Sequence, residues 1–77
     1  MIGSSDVVRL GSRVRVLCVD GEVQFNIVEP VEADIAEERL SAESPLGRAL
    51  LGRRVGEEVR FRAPGGAQAV TVVEVNS

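Results

Sequence analysis

Val14, Val16 and Cys18, and then Val23, Phe25 and Ile27, recur at a spacing of two residues on either side of Asp20-Gly21. This pattern constrains the chain more than any other. A two-residue apolar period belongs to a strand with one face buried, and an Asp-Gly step between two such runs belongs to a tight hairpin, because glycine accepts a positive φ without steric cost. Residues 13–28 therefore predict a β-hairpin, with Glu22, Gln24 and Asn26 on the outer face of its second strand.

The rest of the chain has to complete that sheet. Pro30 ends the strand, since proline cannot donate to a ladder. The acidic stretch 29–38 then reads as a loop, with a helical turn beginning at Asp34. Arg39-Leu40-Ser41 reads as a short strand. Ser44 to Gly52 reads as a short helix with both ends written into it. Ser44 is placed to cap an orphan N–H one turn on, Pro45 occupies the first helical position, and Gly52 supplies the left-handed stop. Leu46, Ala49 and Leu50 fall on one face of that helix. Gly47 inside it costs about 1 kcal/mol against alanine, which predicts a strand or partner in close approach. Val59 to Arg62 alternates again, Pro64-Gly65-Gly66 is a turn, and Ala67 to Val75 is a last strand. In that strand Val70 and Val72 are assigned to one face and Thr71, Val73 and Val75 to the other. A strand apolar on both faces belongs inside a sheet or under a helix. The sum is α+β: a curved antiparallel sheet of four to five strands on one short helix.

Size and composition then limit function. With 77 residues there is room for one domain. Residues 1–6 are expected to be a flexible stub and 7–77 the folded unit. Two phenylalanines and no tryptophan or tyrosine require an aliphatic core. The absence of histidine, with Cys18 the single cysteine, excludes His/Cys zinc sites, Cys/His pairs and Ser/His/Asp triads within this chain. A lone thiol fits a reducing cytoplasm, and Cys18 is expected to be a buried structural thiol. No apolar run reaches the roughly 18 residues of a membrane helix, and residues 1–5 lack the features of a signal peptide. A net charge of −3 and the scarcity of stacking aromatics argue against strong direct nucleic-acid binding.

Four ordered segments, taken together, resemble a known family: Val28-x-Pro30-x-Glu32-Ala33-Asp34; Leu40-Ser41-x-x-Ser44-Pro45-Leu46-Gly47-Arg48-Ala49-Leu50-Leu51-Gly52; Val55-Gly56-Glu57-x-Val59; and Pro64-x-Gly66. They are similar, from about Val7 to Val75, to the C-terminal domain of the bacterial Gre-type transcript-cleavage and elongation factors. The resemblance implies an FKBP-like fold. It also implies docking on RNA polymerase at the rim of its secondary channel, against a coiled coil of the largest subunit. Members of that family carry an N-terminal helical hairpin whose acidic tip holds magnesium and stimulates cleavage of backtracked RNA. This sequence contains no such hairpin, so the expectation is polymerase binding without cleavage and without a cofactor. Glu57 stands where the family often has aspartate, and keeps the charge.

Glu43, Ser44 and Pro45, with Arg48 beside them, are the residues the resemblance marks for polymerase contact. The same Ser44-Pro45 pair also serves simply as a helix cap. Arg48, Arg53 and Arg54 read either as partners for acids on polymerase or as a solvated face that suits the helix dipole. Glu32, Asp34, Glu37 and Glu38 read as a solvated loop, because their oxygens do not recur at calcium-loop spacing. Two other functions are alternatives. A naturally short relative would occupy the docking site and compete with full-length factors. A prolyl isomerase, suggested by fold analogy, needs an aromatic-lined pocket that two core-facing phenylalanines do not readily supply. Oligomeric state is not legible in the sequence.

Overall fold

A computed structural model describes residues 7–76. The expected stub, residues 1–6, lies outside them. The strands are β1 (Arg13–Cys18), β2 (Gly21–Val28), β3 (Arg39–Ser41), β4 (Glu58–Ala63) and β5 (Gly66–Asn76), and the helix is α1 (Pro45–Leu50). They form one sheet in the order β3-β2-β1-β5-β4.

The first hairpin forms as expected, with Val14 opposite Phe25 and Val16 opposite Val23. Its two loop residues are Val19 and Asp20, because Cys18 pairs with Gly21. The turn therefore sits one residue earlier than Asp20-Gly21. Gly21 still takes the left-handed conformation, at φ +119°, which only glycine adopts freely. The second hairpin closes through Pro64-Gly65, with Ala63 opposite Gly66.

One pairing departs from an all-antiparallel sheet. β3 runs parallel to β2, with Ile27 beside Leu40. Two short 3-10 turns, Pro30–Glu32 and Ile35–Glu37, carry the chain back across the sheet end between them. A parallel partner needs such a crossover in place of a tight turn. Asp34 starts the second turn as anticipated, its Oδ1 accepting from the Ala36 N–H at 3.1 Å.

The core is aliphatic: Val8, Val14, Val16, Ile27, Leu40, Leu50, Val59, Val70, Val72 and Val75 are buried together. Phe25, Phe61, Leu46, Ala49 and Cys18 pack half-buried around it. Cys18 is thus less enclosed than its alternation implied, since it lies at the last position of β1 beside the turn. Val75 also changes sides. Arg15 pairs with Glu74 and Val16 with Val72, so Val73 is an extra residue opposite no partner on β1. Such a bulge shifts the strand's alternation by one. It returns Val75 to the face of Val70 and Val72, where all three are buried.

α1 packs against β4 and β3. Leu50, its main anchor, is fully buried, whereas Leu46 is half-buried. Gly52 takes φ +85° just past the helix. Its N–H donates to the Val8 carbonyl at 2.8 Å, and the Val8 N–H donates to Arg53 O at 2.9 Å. The segment before β1 therefore clasps the helix end and carries Val8 into the core.

Candidate functional site

The loop between β3 and α1 is built around one carbonyl. Ser41 O accepts from the Ser44 N–H at 3.1 Å and from the Ser44 hydroxyl at 2.7 Å. The Ser44 Oγ in turn accepts from the Gly47 N–H at 3.0 Å, which is the helix cap expected from the sequence. Ser41 Oγ accepts from the Glu43 N–H at 3.0 Å. The Ala42 N–H donates to Val28 O at 2.8 Å, tying the loop to the sheet. Five hydrogen bonds thus hold the reversal, and Pro45 fixes the backbone at its exit.

This arrangement divides the four residues marked by the sequence. Ser44 is half-buried and its hydroxyl is engaged both as donor and as acceptor, so its duty is structural. Glu43, Pro45 and Arg48 are exposed. Neither Glu43 nor Arg48 takes part in an ion pair among the described residues. The loop therefore presents a carboxylate, a rigid ring and a guanidinium on a short stretch whose shape the fold sets. Ser41 was not singled out from the sequence, although it organises the loop. Its signal was the Ser41-x-x-Ser44 spacing, which lets two hydroxyls serve one turn.

The arginines after the helix are differently employed. Arg53 Nε donates to Ala49 O at 3.2 Å, satisfying a carbonyl of the last helical turn. Its guanidinium also lies 3.5 Å from Glu57. Glu57 Oε2 accepts from the Arg54 N–H at 2.7 Å. Glu57 is therefore a brace for the segment joining α1 to β4. Of the basic cluster, Arg48 is the member left most available to a partner.

Two other sequence candidates resolve into structure. Glu32, Asp34, Glu37 and Glu38 are exposed on the crossover, and Asp34 is spent capping a 3-10 turn. Among the described residues no three carboxylates or thiols converge on a possible ion site. A groove between the tips of the two hairpins is lined by Cys18, Val19, Asp20, Val23 and Ala67 to Val70, with no aromatic side chain. Phe25 and Phe61 pack on the core instead.

Comparison with known proteins agrees with this architecture. The family model for the C-terminal region of the transcription elongation factors GreA/GreB matches residues 3–77. Transcription elongation factor GreA of Thermotoga neapolitana is 50% identical over 74 residues, which cover 94% of this chain and 47% of that protein. GreA of Rhodospirillum rubrum is 43% identical over 74 residues, again 94% of this chain and 47% of the relative. Among solved structures, Gfh1 of Thermus aquaticus superposes with a TM-score of 0.85 at 33% identity, covering 97% of this chain and 51% of that one. A GreA/GreB factor from Nitrosomonas europaea gives 0.75 at 35% identity, covering 94% and 62%. The chain spans about half the length of the curated relatives it matches. With the match running through nearly all of its residues, and with the same curled sheet and short helix, this chain belongs to the GreA/GreB transcription elongation factor family, in the part described as its C-terminal domain.

Proposed function

We propose that this chain is a polymerase-docking module, a regulator of transcription elongation and not an enzyme. In this reading it binds bacterial RNA polymerase at the rim of the secondary channel, against the coiled coil of the largest subunit. Glu43 and Pro45 make the contact, Ser44 holds them in place, and Arg48 lies at the side. Polymerase places the site of action in the cytoplasm; no helix among the described residues is long and apolar enough to cross a membrane.

The observation that carries this reading is the state of Glu43. Its carboxylate is exposed and in no ion pair among the described residues, yet it sits on a loop held by the Ser41 and Ser44 bonds. A charged side chain on an ordered backbone loses less conformational entropy when a partner engages it. A charge-assisted hydrogen bond there contributes about 1.5–3 kcal/mol if water is excluded, and much less at a wet rim.

The test is titration of RNA polymerase with the wild-type chain and with Glu43→Arg and Glu37→Arg, folding being checked by circular dichroism. Glu43→Arg is expected to weaken binding strongly, because it adds repulsion to the lost contact. Glu37→Arg, on the exposed crossover, is expected to have a smaller effect. Equal binding by wild type and a folded Glu43→Arg variant would sink the assignment.

A further inference from the structure

β5 uses its two sides unequally. On one side it pairs with β4 from Gly66 to Thr71. On the other, its ladder with β1 runs from Asn76 only to Thr71, because β1 ends at Cys18 and turns away through Val19-Asp20. From Gly66 to Val70, β5 therefore has a strand neighbour on the β4 side alone among the described residues.

The alternation of an antiparallel ladder says where the unused groups point. Ala63 and Gly66 close a two-residue turn and so form a hydrogen-bonded pair, and every second residue of β5 follows in phase. Gly66, Gln68 and Val70 thus bond toward β4. Val72 is consistent with that phase: its N–H donates to Glu57 O at 3.0 Å, and its carbonyl accepts from Gly56 at 2.8 Å. The N–H and C=O of Ala67 and Ala69 point the other way. They border a groove of about 560 Å³ whose opposite wall is Cys18, Val19 and Val23, with Asp20 at its mouth. Val19 is 97% exposed.

We propose that this groove receives an extended peptide from another polypeptide, added as a strand to the free edge of β5. The groups on offer are two N–H and two C=O at strand spacing beside an apolar wall. They match a backbone with apolar side chains at alternate positions better than they match a compact ligand. Asp20 is exposed and in no ion pair among the described residues, so the peptide that fits best carries a lysine or arginine within its reach. This surface is independent of the Glu43 loop.

The probe is an acetylated, amidated Val-Thr-Val-Arg-Val-Thr peptide, titrated into the chain and followed by amide chemical shifts and hydrogen exchange. The expected result is shift changes confined to Cys18–Asp20 and Ala67–Val70, with exchange slowed at Ala67 and Ala69 in particular. The same peptide N-methylated at alternate residues is expected not to bind. Ala69→Pro removes one groove-facing N–H without touching the β4 ladder, and is expected to weaken binding about threefold to tenfold, as for one lost hydrogen bond. Asp20→Asn is expected to weaken it about twofold to fivefold, as for an exposed ion pair. Should Ala69→Pro prove misfolded, Val19→Lys at the exposed rim replaces it and is expected to weaken the basic peptide likewise. Three outcomes overturn the proposal: shifts centred elsewhere, equal binding of the N-methylated peptide, or an edge already covered by self-association in dilution experiments.

Discussion

The Cα of Gly47 lies so close to the carbonyl oxygen of Ser41 that a Cβ at position 47 would overlap it. That carbonyl already accepts two bonds from Ser44, so it has no freedom to retreat. The helix and β3 therefore approach through a residue without a side chain, and a glycine that weakens the helix locally is what lets the helix seat.

Gly47→Ala tests this directly. In an isolated helix the change would gain about 1 kcal/mol. Here the overlap with Ser41 should dominate, and a net loss of about 1–3 kcal/mol is expected, as for other overpacked sites. Urea unfolding followed by circular dichroism measures it. Stability equal to or above wild type would mean that the loop yields at little cost.

Leu50→Ala is expected to cost about 2–5 kcal/mol, a large share of what so small a domain has. Leu50 is fully buried at the centre of the core. Leu46→Ala, at a half-buried position, is expected to cost clearly less. Reversal of that order in thermal or urea unfolding would contradict the packing described for α1.

The bulge at Val73 sets a second ordering. Val75→Ala removes buried methyl groups and is expected to cost about 2 kcal/mol. Val73→Ala, at the half-buried extra residue, is expected to cost less than half as much. If the two were equal, or reversed, the strand would be regular and Val75 would face outward.

Ser44 and Glu43 are neighbours with separable duties. Ser44→Ala removes the cap to Gly47 and the bond to Ser41, and is expected to lower stability by about 0.5–2 kcal/mol. Glu43→Ala is expected to leave stability nearly unchanged and to reduce polymerase affinity. Paired unfolding and binding curves on both variants separate the roles, and an unfolding loss from Glu43→Ala would merge them.

Added to a stalled elongation complex, this chain is expected to leave the RNA at the length set by polymerase's own slow cleavage, while displacing a full-length relative from the same enzyme. Gel analysis of the transcripts and a competition assay give the two readings. RNA shortening above the polymerase background would refute the first half, and failure to compete would refute the second.

Local chemistry was legible in the order of the residues. Ser44, Pro45 and Gly52 delimit a helix by what each does to its own backbone, and the observed cap and left-handed stop lie where they imply. Asp34 likewise starts its turn by bonding two residues on. The alternation in β1 and β4 marks strands because one face of each is buried or half-buried. In β2 the pairing follows the alternation, but only Ile27 is buried and Val23 is exposed, since that end of the hairpin runs past the core. The candidate docking residues are a different matter. Their candidacy came from a resemblance, and the fold adds which of them are exposed and which are engaged.

What the tertiary structure alone decided concerns partners distant in sequence. β3 lies parallel to β2 because two 3-10 turns return the chain to the same end of the sheet, and no residue in the crossover encodes that direction by itself. Val75 is buried because β1 cannot match β5 without one extra residue, a mismatch visible only when the strands are paired. The need for glycine at 47 was readable as a close approach, but that the neighbour is the Ser41 carbonyl was not. By itself the sequence determined the strands and the helix, the ends of that helix and the aliphatic nature of the core, since propensity, capping and alternation act within a few residues. Direction of pairing, register and the fate of each face depend on contacts that exist only after the chain has closed on itself.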